Sequence, residues 1–298
     1  MQKYSIFNLV KNAFSNHENW DLAWKDPTPK KEYDVVIIGG GGHGLATAYY
    51  LAKEHNITNV AIIEKGWIGG GNVGRNTTII RSNYMHDDNA LFSEFGMDLW
   101  RKMSQDLNYN VMFSPRGIIN LAHSDAQMNV YARRGNSMRL NGIDAVLLNR
   151  EQVKEIIPMA DFSENVRFPI FGGLMQPSAG TARHDAVAWG YARQADSMGV
   201  DIIQNCEVTG FDVSSGKIKG VRTSRGDIKV KKIGLCVAGS TNILAEKLNM
   251  RLPIETHLLQ ACVSEPVKPV LDRVVTFGAG HFYISQSDKG EMVMGGDL

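Results

Sequence analysis

The feature that most constrains this chain is a run of glycines between an apolar segment and a helical pattern. Residues 35–48 read Val-Val-Ile-Ile-Gly-Gly-Gly-Gly-His-Gly-Leu-Ala-Thr-Ala, and Gly39, Gly41 and Gly44 fill the GxGxxG pattern. The first glycine permits a tight turn, the second lets the backbone approach a pyrophosphate, and the third lets helix and strand pack closely. The helix N-terminus adds unpaired amides and a positive dipole. We therefore predict a dinucleotide-binding unit of strand, helix and strand at residues 33–38, 44–55 and 60–63.

An acidic residue and a second glycine-rich loop refine this prediction. Glu64 follows the second predicted strand and lies twenty residues after Gly44, where a carboxylate accepts a hydrogen bond from a ribose 2′-hydroxyl. The glycine run alone would also suit a plain strand-to-helix turn, and the motif leaves NAD and FAD as alternatives. The loop Gly69-Gly-Gly-Asn-Val-Gly-Arg-Asn-Thr-Thr follows directly and could thread close to the phosphates and ring of a flavin. This loop favours FAD.

The remaining pattern predicts an α/β chain of two interleaved domains. One is a Rossmann-like FAD-binding domain with a parallel sheet and a β-meander, and the other is a substrate domain with an antiparallel sheet. Helices are expected at residues 87–107, 124–140 and 184–198, and strands at 118–122 and 200–203, before a three-stranded meander that closes at 233–238. The prolines in Asp26-Pro-Thr-Pro-Lys-Lys predict an extended N-terminal arm. The predicted division is an arm at 1–32, the FAD-binding domain at 33–90 and 176–250, and the substrate domain at 91–175 and 251–298.

Composition excludes several classes of function. A formal net charge of +1 gives no electrostatic argument for binding nucleic acid or an anionic membrane. No apolar stretch is long enough to span a membrane and no basic start precedes an apolar segment, so neither insertion nor secretion is expected, and a cytoplasmic location is predicted. Cys206, Cys236 and Cys262 are far apart in apolar runs, which predicts buried, reduced thiols and no metal site.

Four longer motifs carry a resemblance to a known family. They are residues 39–52, Glu64-Lys-Gly-Trp, Arg75-Asn-Thr-Thr-Ile-Ile-Arg-Ser-Asn-Tyr and Gln204-Asn-Cys-Glu-Val-Thr-Gly-Phe. These motifs resemble the beta subunits of heterotetrameric sarcosine oxidase, a family of D-amino-acid-oxidase-like FAD-dependent oxidoreductases, and the resemblance runs from about Trp20 to the last residue. It implies a flavoenzyme that oxidises a small secondary or tertiary amine and works with alpha, gamma and delta subunits.

The resemblance implies that FAD is bound non-covalently. The expected FAD contacts, including the motif glycines, are Gly39, Gly41, Gly42, His43, Gly44, Glu64, Lys65, Asn72, Arg75, Thr77, Ile79 and Val208. Val208 would meet the adenine through its backbone. From the residues alone, Arg75 also fits a surface charge and Val208 also fits a strand core.

The resemblance also implies FMN bound covalently through a histidine. The segment Gln176-Pro-Ser-Ala-Gly-Thr-Ala-Arg-His-Asp matches the family's attachment segment, so His184 is the expected attachment site, with Arg183 and His281 near the FMN. A neutral imidazole is a competent nucleophile. From the pattern alone, His184 also fits the polar first turn of an amphipathic helix, and His281 also fits a strand histidine. Arg183 departs from the lysine of some family members, and a guanidinium differs from an ammonium in reach and geometry.

The implied reaction oxidises sarcosine to glycine, with the one-carbon unit released or transferred and hydrogen peroxide formed. The alternatives are a dimethylglycine, opine or D-amino-acid oxidoreductase of the same superfamily, or a flavin-carrying structural subunit. No catalytic residue is assigned, because the final segment Glu291-Met-Val-Met-Gly-Gly-Asp-Leu reads as a strand and turn, and family members continue beyond it. We expect a truncated chain whose missing part holds ligands of the substrate carboxylate.

Overall fold

The computed structural model describes residues 5–18, 22–163 and 165–296. Within these ranges the helices are α1 (Ile6–Phe14), α2 (Gly42–His55), α3 (Asp87–Asp106), α4 (Asp125–Leu140), α5 (Arg150–Ile156), α6 (His184–Ser197) and α7 (Thr241–Glu246). The strands are β1 (Glu32–Ile38), β2 (Val60–Ile63), β3 (Ile79–Ile80), β4 (Ile118–Ala122), β5 (Val146–Asn149), β6 (Gly172–Gln176), β7 (Gly180–Thr181), β8 (Asp201–Ile203), β9 (Val208–Ser214), β10 (Lys217–Thr223), β11 (Ile228–Leu235), β12 (Gln260–Val263), β13 (Val274–Phe277), β14 (Phe282–Gln286) and β15 (Met292–Gly296). The chain divides into two compact units.

Unit 1 contains Met1–Asn76, Gln105–Asn110 and His184–Thr256. Among its described residues, six strands form a sheet of order β8-β2-β1-β11-β10-β9. Strands β8, β2, β1 and β11 run parallel, and β11, β10 and β9 form an antiparallel meander. Val36 and Ile62 are fully buried, as expected for central parallel strands that are covered on both faces.

Unit 2 contains Thr77–Ser104, Val111–Arg183 and His257–Leu298. Over its described residues, seven strands form a sheet of order β12-β15-β14-β13-β4-β6-β5, in which β13 and β4 are the parallel pair. Strands β3 and β7 form a separate antiparallel ribbon. Ile119 and Leu121 of β4 pack with Val153 of α5 and Val275 of β13 in one core cluster.

The mixed parallel and antiparallel sheets confirm the predicted fold class. Strands β2 and β4 have the predicted bounds, and α2 begins at Gly42, two residues before the predicted start. The first crossing between the units lies at Asn76–Thr77, whereas the sequence placed it at residue 90. The reason is that β3, directly after this crossing, pairs with β7 of unit 2.

The N-terminal arm is not extended throughout, so this expectation is wrong for Ile6–Phe14, which forms α1. The Ser5 hydroxyl oxygen accepts a hydrogen bond from the Asn8 backbone N–H at 3.2 Å, which caps the helix. Pro27 and Pro29 come well after the helix, so they cannot break it. Residues 1–4 and 19–21 of the predicted arm, including Trp20, lie outside the described residues.

The prediction that all three cysteines are buried is wrong. Cys206 is buried and Cys236 is half-buried, but Cys262 is exposed. Cys262 lies on β12, which is an edge strand with all four residues exposed. An apolar run in the sequence does not distinguish a covered strand from an uncovered one, which is why the expectation failed for Cys262. No described helix combines the length and apolar character needed to cross a bilayer.

Candidate dinucleotide-binding site

The turn between β1 and α2 depends on two glycines for reasons internal to the protein. Gly39 has φ of +110°, a conformation that favours glycine. A Cβ on Gly39 would lie 2.3 Å from the Cys236 carbonyl oxygen, and a Cβ on Gly44 would lie 2.0 Å from the Gly39 carbonyl oxygen. Any side chain at either position would therefore displace the backbone, so these two glycines are required by the fold itself.

Gly41 and Gly42 have no such internal reason to be glycine. Their added Cβ atoms would meet only Val73 Cγ2, at 3.8 Å and 3.5 Å respectively, which is ordinary van der Waals contact. Gly41 is the N-cap of α2 with φ of −84°, and no side chain caps the helix there. The start of α2 thus combines free space with uncapped helix amides, which is the arrangement that binds a phosphate group. The residues present fit the pyrophosphate of a dinucleotide.

Glu64 lies at the carboxyl end of β2, beside this turn. Its Oε2 accepts a hydrogen bond from the Gly40 N–H at 2.8 Å, and its Oε1 accepts one from the Gly66 N–H at 2.8 Å. The carboxylate therefore ties the first glycine turn to the segment that leads into the second glycine-rich loop. Since a carboxylate offers about four acceptor positions, the half-buried side chain retains capacity for a ribose hydroxyl.

One backbone hydrogen bond joins the second glycine-rich loop to the first, and side-chain bonds hold the rest of the loop. The Gly69 N–H donates to the Gly40 carbonyl at 2.9 Å, and the Ile68 N–H donates to Gln204 Oε1 at 2.9 Å. The exposed Arg75 guanidinium donates through Nη1 to the carbonyl oxygens of Gly70 at 2.5 Å and Gly71 at 3.0 Å. Arg75 thus holds its own loop closed, and its predicted FAD contact stays a prediction.

The other predicted FAD residues divide between the units. His43, Lys65 and Asn72 are exposed side chains of unit 1. Val208, the first residue of β9, is buried in the core cluster of the same unit, two residues after Cys206, whose N–H donates to the Glu64 carbonyl at 2.9 Å. Its side chain therefore serves the core, and its predicted backbone contact with adenine is untested.

Thr77 and Ile79 belong to unit 2. The Thr77 hydroxyl donates to the Tyr283 hydroxyl at 3.1 Å. Ile79 pairs with Thr181 in the β3–β7 ribbon and packs against the cluster that contains Ile118. Both side chains therefore have partners within their unit, and their FAD contacts stay predictions.

The residues predicted for FMN also divide between the units. His184 is the half-buried first residue of α6 in unit 1. Arg183 belongs to unit 2, where its Nη1 lies 3.1 Å from Asp288 Oδ2 in an ion pair. His281 is exposed and has φ of 45° in the turn before β14. Their roles toward a second flavin stay predictions.

Two arginines of unit 2 were not assigned a role from the sequence. Arg81 Nη1 donates to Asn83 Oδ1 at 2.6 Å, and Arg134 Nε donates to the Asn83 carbonyl at 2.7 Å. Burial, and then the charge of Arg81, lower the pKa of Arg134. Neither arginine forms an ion pair with a described acidic residue. Neighbouring guanidinium groups that lack a carboxylate partner suit an anionic ligand.

Within residues 5–18, 22–163 and 165–296, no group of three His, Cys, Asp or Glu side chains could hold a metal ion.

The fold and the turn at Gly39–Gly44 define a dinucleotide-binding α/β protein, and comparison with known families narrows the class. Residues 34–298 match the family described as FAD dependent oxidoreductase. The chain belongs to this family of FAD-dependent oxidoreductases, and its relatives identify the branch. Sarcosine oxidase subunit beta of Rhizobium meliloti (strain 1021) is 60% identical over 99% of this chain and 71% of its own length. The subunit of the same name from Rhodobacter capsulatus is 52% identical over the same shares of each chain. The chain is thus a member of the sarcosine oxidase subunit beta family, which confirms the resemblance.

Solved structures show the same fold. The L-proline dehydrogenase from P. horikoshii superposes with a TM-score of 0.84 and 27% identity, over 91% of this chain and 71% of that chain. The glycine oxidase from Geobacillus kaustophilus superposes with a TM-score of 0.77 and 19% identity, over 90% of this chain and 72% of that chain. The second similarity concerns the fold alone.

Proposed function

We propose that this chain is the flavin-carrying subunit of a sarcosine oxidase that oxidises the methyl C–N bond of N-methylglycine. The observation that carries the proposal is the space over Gly41 and Gly42 at the uncapped start of α2, with Glu64 beside it. The names of relatives at 60% and 52% identity supply the substrate. The overall reaction would convert sarcosine, oxygen and water to glycine, formaldehyde and hydrogen peroxide, or transfer the one-carbon unit instead of releasing it.

The residues that would hold FAD follow from the geometry of unit 1. The amides that open α2 would bind its pyrophosphate, and Glu64 would accept a ribose hydroxyl while it still bonds Gly40 and Gly66. When bound, FAD supplies the two-electron acceptor for the amine. The proposed FAD contacts further include His43, Lys65, Asn72, Arg75, Thr77, Ile79 and Val208 from the family resemblance.

The substrate carboxylate needs a cationic partner, and the described part of unit 2 offers Arg81 and Arg134. The family resemblance predicts carboxylate ligands beyond residue 298, and we propose this pair as further ligands because both guanidinium groups point at Asn83 and have no acidic partner among the described residues. The Arg81 guanidinium carbon lies 4.5 Å from the centroid of the Tyr84 ring, which restricts its orientation.

A second flavin, FMN, is proposed to be bound covalently at His184, with Arg183 and His281 near it. The support is the match of the segment around His184 to the family's attachment segment, together with the half-buried position of His184 at the start of α6. The alpha, gamma and delta subunits are proposed as partners from the family resemblance, and the name subunit beta of the relatives supports the presence of other subunits.

The test uses the complete enzyme purified with its other subunits. Sarcosine added without oxygen should bleach the flavin absorbance, and the acid-precipitated protein should retain a yellow, fluorescent flavin. His184→Ala should release that retained flavin, whereas the control His55→Ala, at the far end of α2, should not. If sarcosine does not bleach the flavin of the intact enzyme, sarcosine oxidation is rejected. Retained flavin in His184→Ala would reject the attachment site alone.

A second candidate is an L-proline dehydrogenase activity, which the structural similarity at 27% identity favours. Proline and sarcosine are both secondary amines that carry a carboxylate, so the same arginine pair would suit either substrate. Parallel bleaching with sarcosine, L-proline and dimethylglycine decides between them. A flavin-carrying structural subunit would show no bleaching with any of the three.

A further inference from the structure

The helix α1 has an apolar face that its own unit leaves open. With 100° between successive residues, Ile6, Phe7, Leu9, Val10, Ala13 and Phe14 fall on an arc of about 160°, which we call the α1 face. The polar residues Asn8, Lys11 and Asn12 occupy the opposite side. None of the described residues of α1 is buried, and the exposed fractions of the five large apolar residues lie between 48% and 88%.

A helix of this length is not expected to be stable in water without packing. Nine residues fall below the roughly 12–15 at which an isolated helix becomes marginally stable. Its Ser5 cap contributes only part of the missing stability. A cover over the α1 face would supply the stability that the isolated helix lacks.

The polar side of the helix argues against a membrane as the cover. Helices that lie on membranes carry strongly charged polar faces rich in Lys and Arg. The polar side of α1 has one charged residue, Lys11, and two asparagines. This chemistry favours a protein surface.

The size and shape of the α1 face indicate which protein surface covers it. Its large side chains would bury on the order of 600 Å², which is less than the roughly 800 Å² that each partner contributes to a stable interface. A second copy of α1 would cover only a narrow seam, not an arc of about 160°. A groove on a different subunit, next to a larger contact, meets both conditions.

Helix α1 lies outside the match to the oxidoreductase family but inside the alignment with relatives that are named as subunits. The match to the FAD-dependent oxidoreductase family begins at residue 34, after α1. The relatives named subunit beta from Rhizobium meliloti and Rhodobacter capsulatus align over 99% of the chain, which includes α1; a third, from Arthrobacter sp., aligns over 94% of it. The segment that precedes the oxidoreductase family match is therefore present in two proteins that are named as subunits.

We propose that α1 is a docking helix that inserts Phe7, Val10 and Phe14 into an apolar groove on another subunit of the enzyme. This inference rests on the proposed function, because it requires the chain to work within a multi-subunit complex. An aspartate placed on the α1 face would have to enter an apolar groove, and binding of that subunit should weaken about tenfold or more.

The experiment co-expresses the tagged full chain with the alpha, gamma and delta subunits and measures the ratio of each subunit to the chain after purification. Val10→Asp and Phe7→Gln change the α1 face, and Asn12→Asp places the same carboxylate on the polar side as a matched control. FAD content per chain reports whether unit 1 has folded. We expect one subunit to be lost from the two face variants, at unchanged FAD content, and to be retained in Asn12→Asp.

Full subunit ratios in both face variants would overturn the proposal. Two other results would also overturn it, if the complex stays complete in the face variants. One is that the isolated chain forms dimers that these variants abolish, and the other is that it binds phosphatidylglycerol vesicles and these variants abolish the binding. The proposed function fails separately, if the wild-type complex assembles but is not bleached by sarcosine. The subunit ratios would still report on α1 in that case.

Discussion

Replacing Gly41 and Gly44 one at a time by alanine should separate the stability of the fold from the binding of FAD. A methyl group at Gly44 would lie 2.0 Å from the Gly39 carbonyl oxygen. Backbone must move to relieve this contact, so we expect Gly44→Ala to destabilise unit 1 by about 3 kcal/mol or more. The protein should lose FAD because the turn itself is distorted.

Gly41→Ala should behave in the opposite way. Its methyl group would meet only Val73 Cγ2 at 3.8 Å, and φ of −84° suits alanine. Alanine stabilises the protein by restricting the backbone of the unfolded chain, but it is a poorer N-cap residue than glycine. Each effect is about 1 kcal/mol or less in the free energy of unfolding, so the stability of the FAD-free protein should hardly change. If the pyrophosphate lies over Gly41, the methyl group should weaken FAD binding by about 1–3 kcal/mol, or roughly fivefold to 150-fold.

The assay pairs urea denaturation of the FAD-free proteins with an FAD titration followed by flavin fluorescence. Gly41→Ala with wild-type affinity for FAD would show that nothing approaches the backbone at Gly41, and would refute the proposed site. Gly44→Ala with wild-type stability would refute the packing argument.

Three further predictions concern other parts of the molecule. The Glu64 carboxylate accepts hydrogen bonds from two backbone N–H groups, and in Glu64→Gln the amide NH₂ would face one of these donors. The free energies of FAD binding and of folding should therefore each weaken by about 1–3 kcal/mol. Glu54→Gln, at an exposed ion pair, is the control. Iodoacetamide should label exposed Cys262 first, as measured by mass spectrometry. Because burial raises the pKa of the Cys236 thiol, its labelling should be slow at pH 8 and accelerate as the pH rises, and equal rates at both cysteines would contradict this. Gln286 is buried and bonds five backbone groups, so Gln286→Ala should lower the free energy of unfolding by about 3 kcal/mol in urea denaturation, and an unchanged midpoint would reject that role.

The first strand, turn and helix were predictable from the sequence because local requirements coincide there. Gly39 and Gly44 are dictated by the geometry of the turn, and the apolar run before them is dictated by burial on both faces of a parallel strand. The resulting bounds agree with the structure to within two residues. Glu64 was also placed correctly at the end of β2, since the spacing of the motif fixes it.

Features that depend on distant partners could not be predicted in the same way. Arg134 donates to the carbonyl of Asn83 across 51 positions of the chain, and no local pattern encodes that pairing. Strand β12 has four exposed residues and is recognised only through its pairing with β15. The helix α1 was missed because the prolines that follow it were given weight over the apolar periodicity before them.

Glycines near the turn are alike in the sequence but serve two different purposes in the structure. A Cβ on Gly74 would lie 2.8 Å from the Gly69 carbonyl oxygen, so Gly74 is needed for the loop to close on itself. A Cβ on Gly71 would meet nothing within 4 Å, and a Cβ on Gly41 would meet only Val73 Cγ2 at 3.8 Å. Since glycine carries an entropic cost that an unobstructed position does not require, its use at Gly41, at the uncapped start of α2, fits a ligand that approaches the backbone. The space around an added Cβ cannot be read from the sequence. In the structure, it separates the glycines that the turn requires from those that would face FAD.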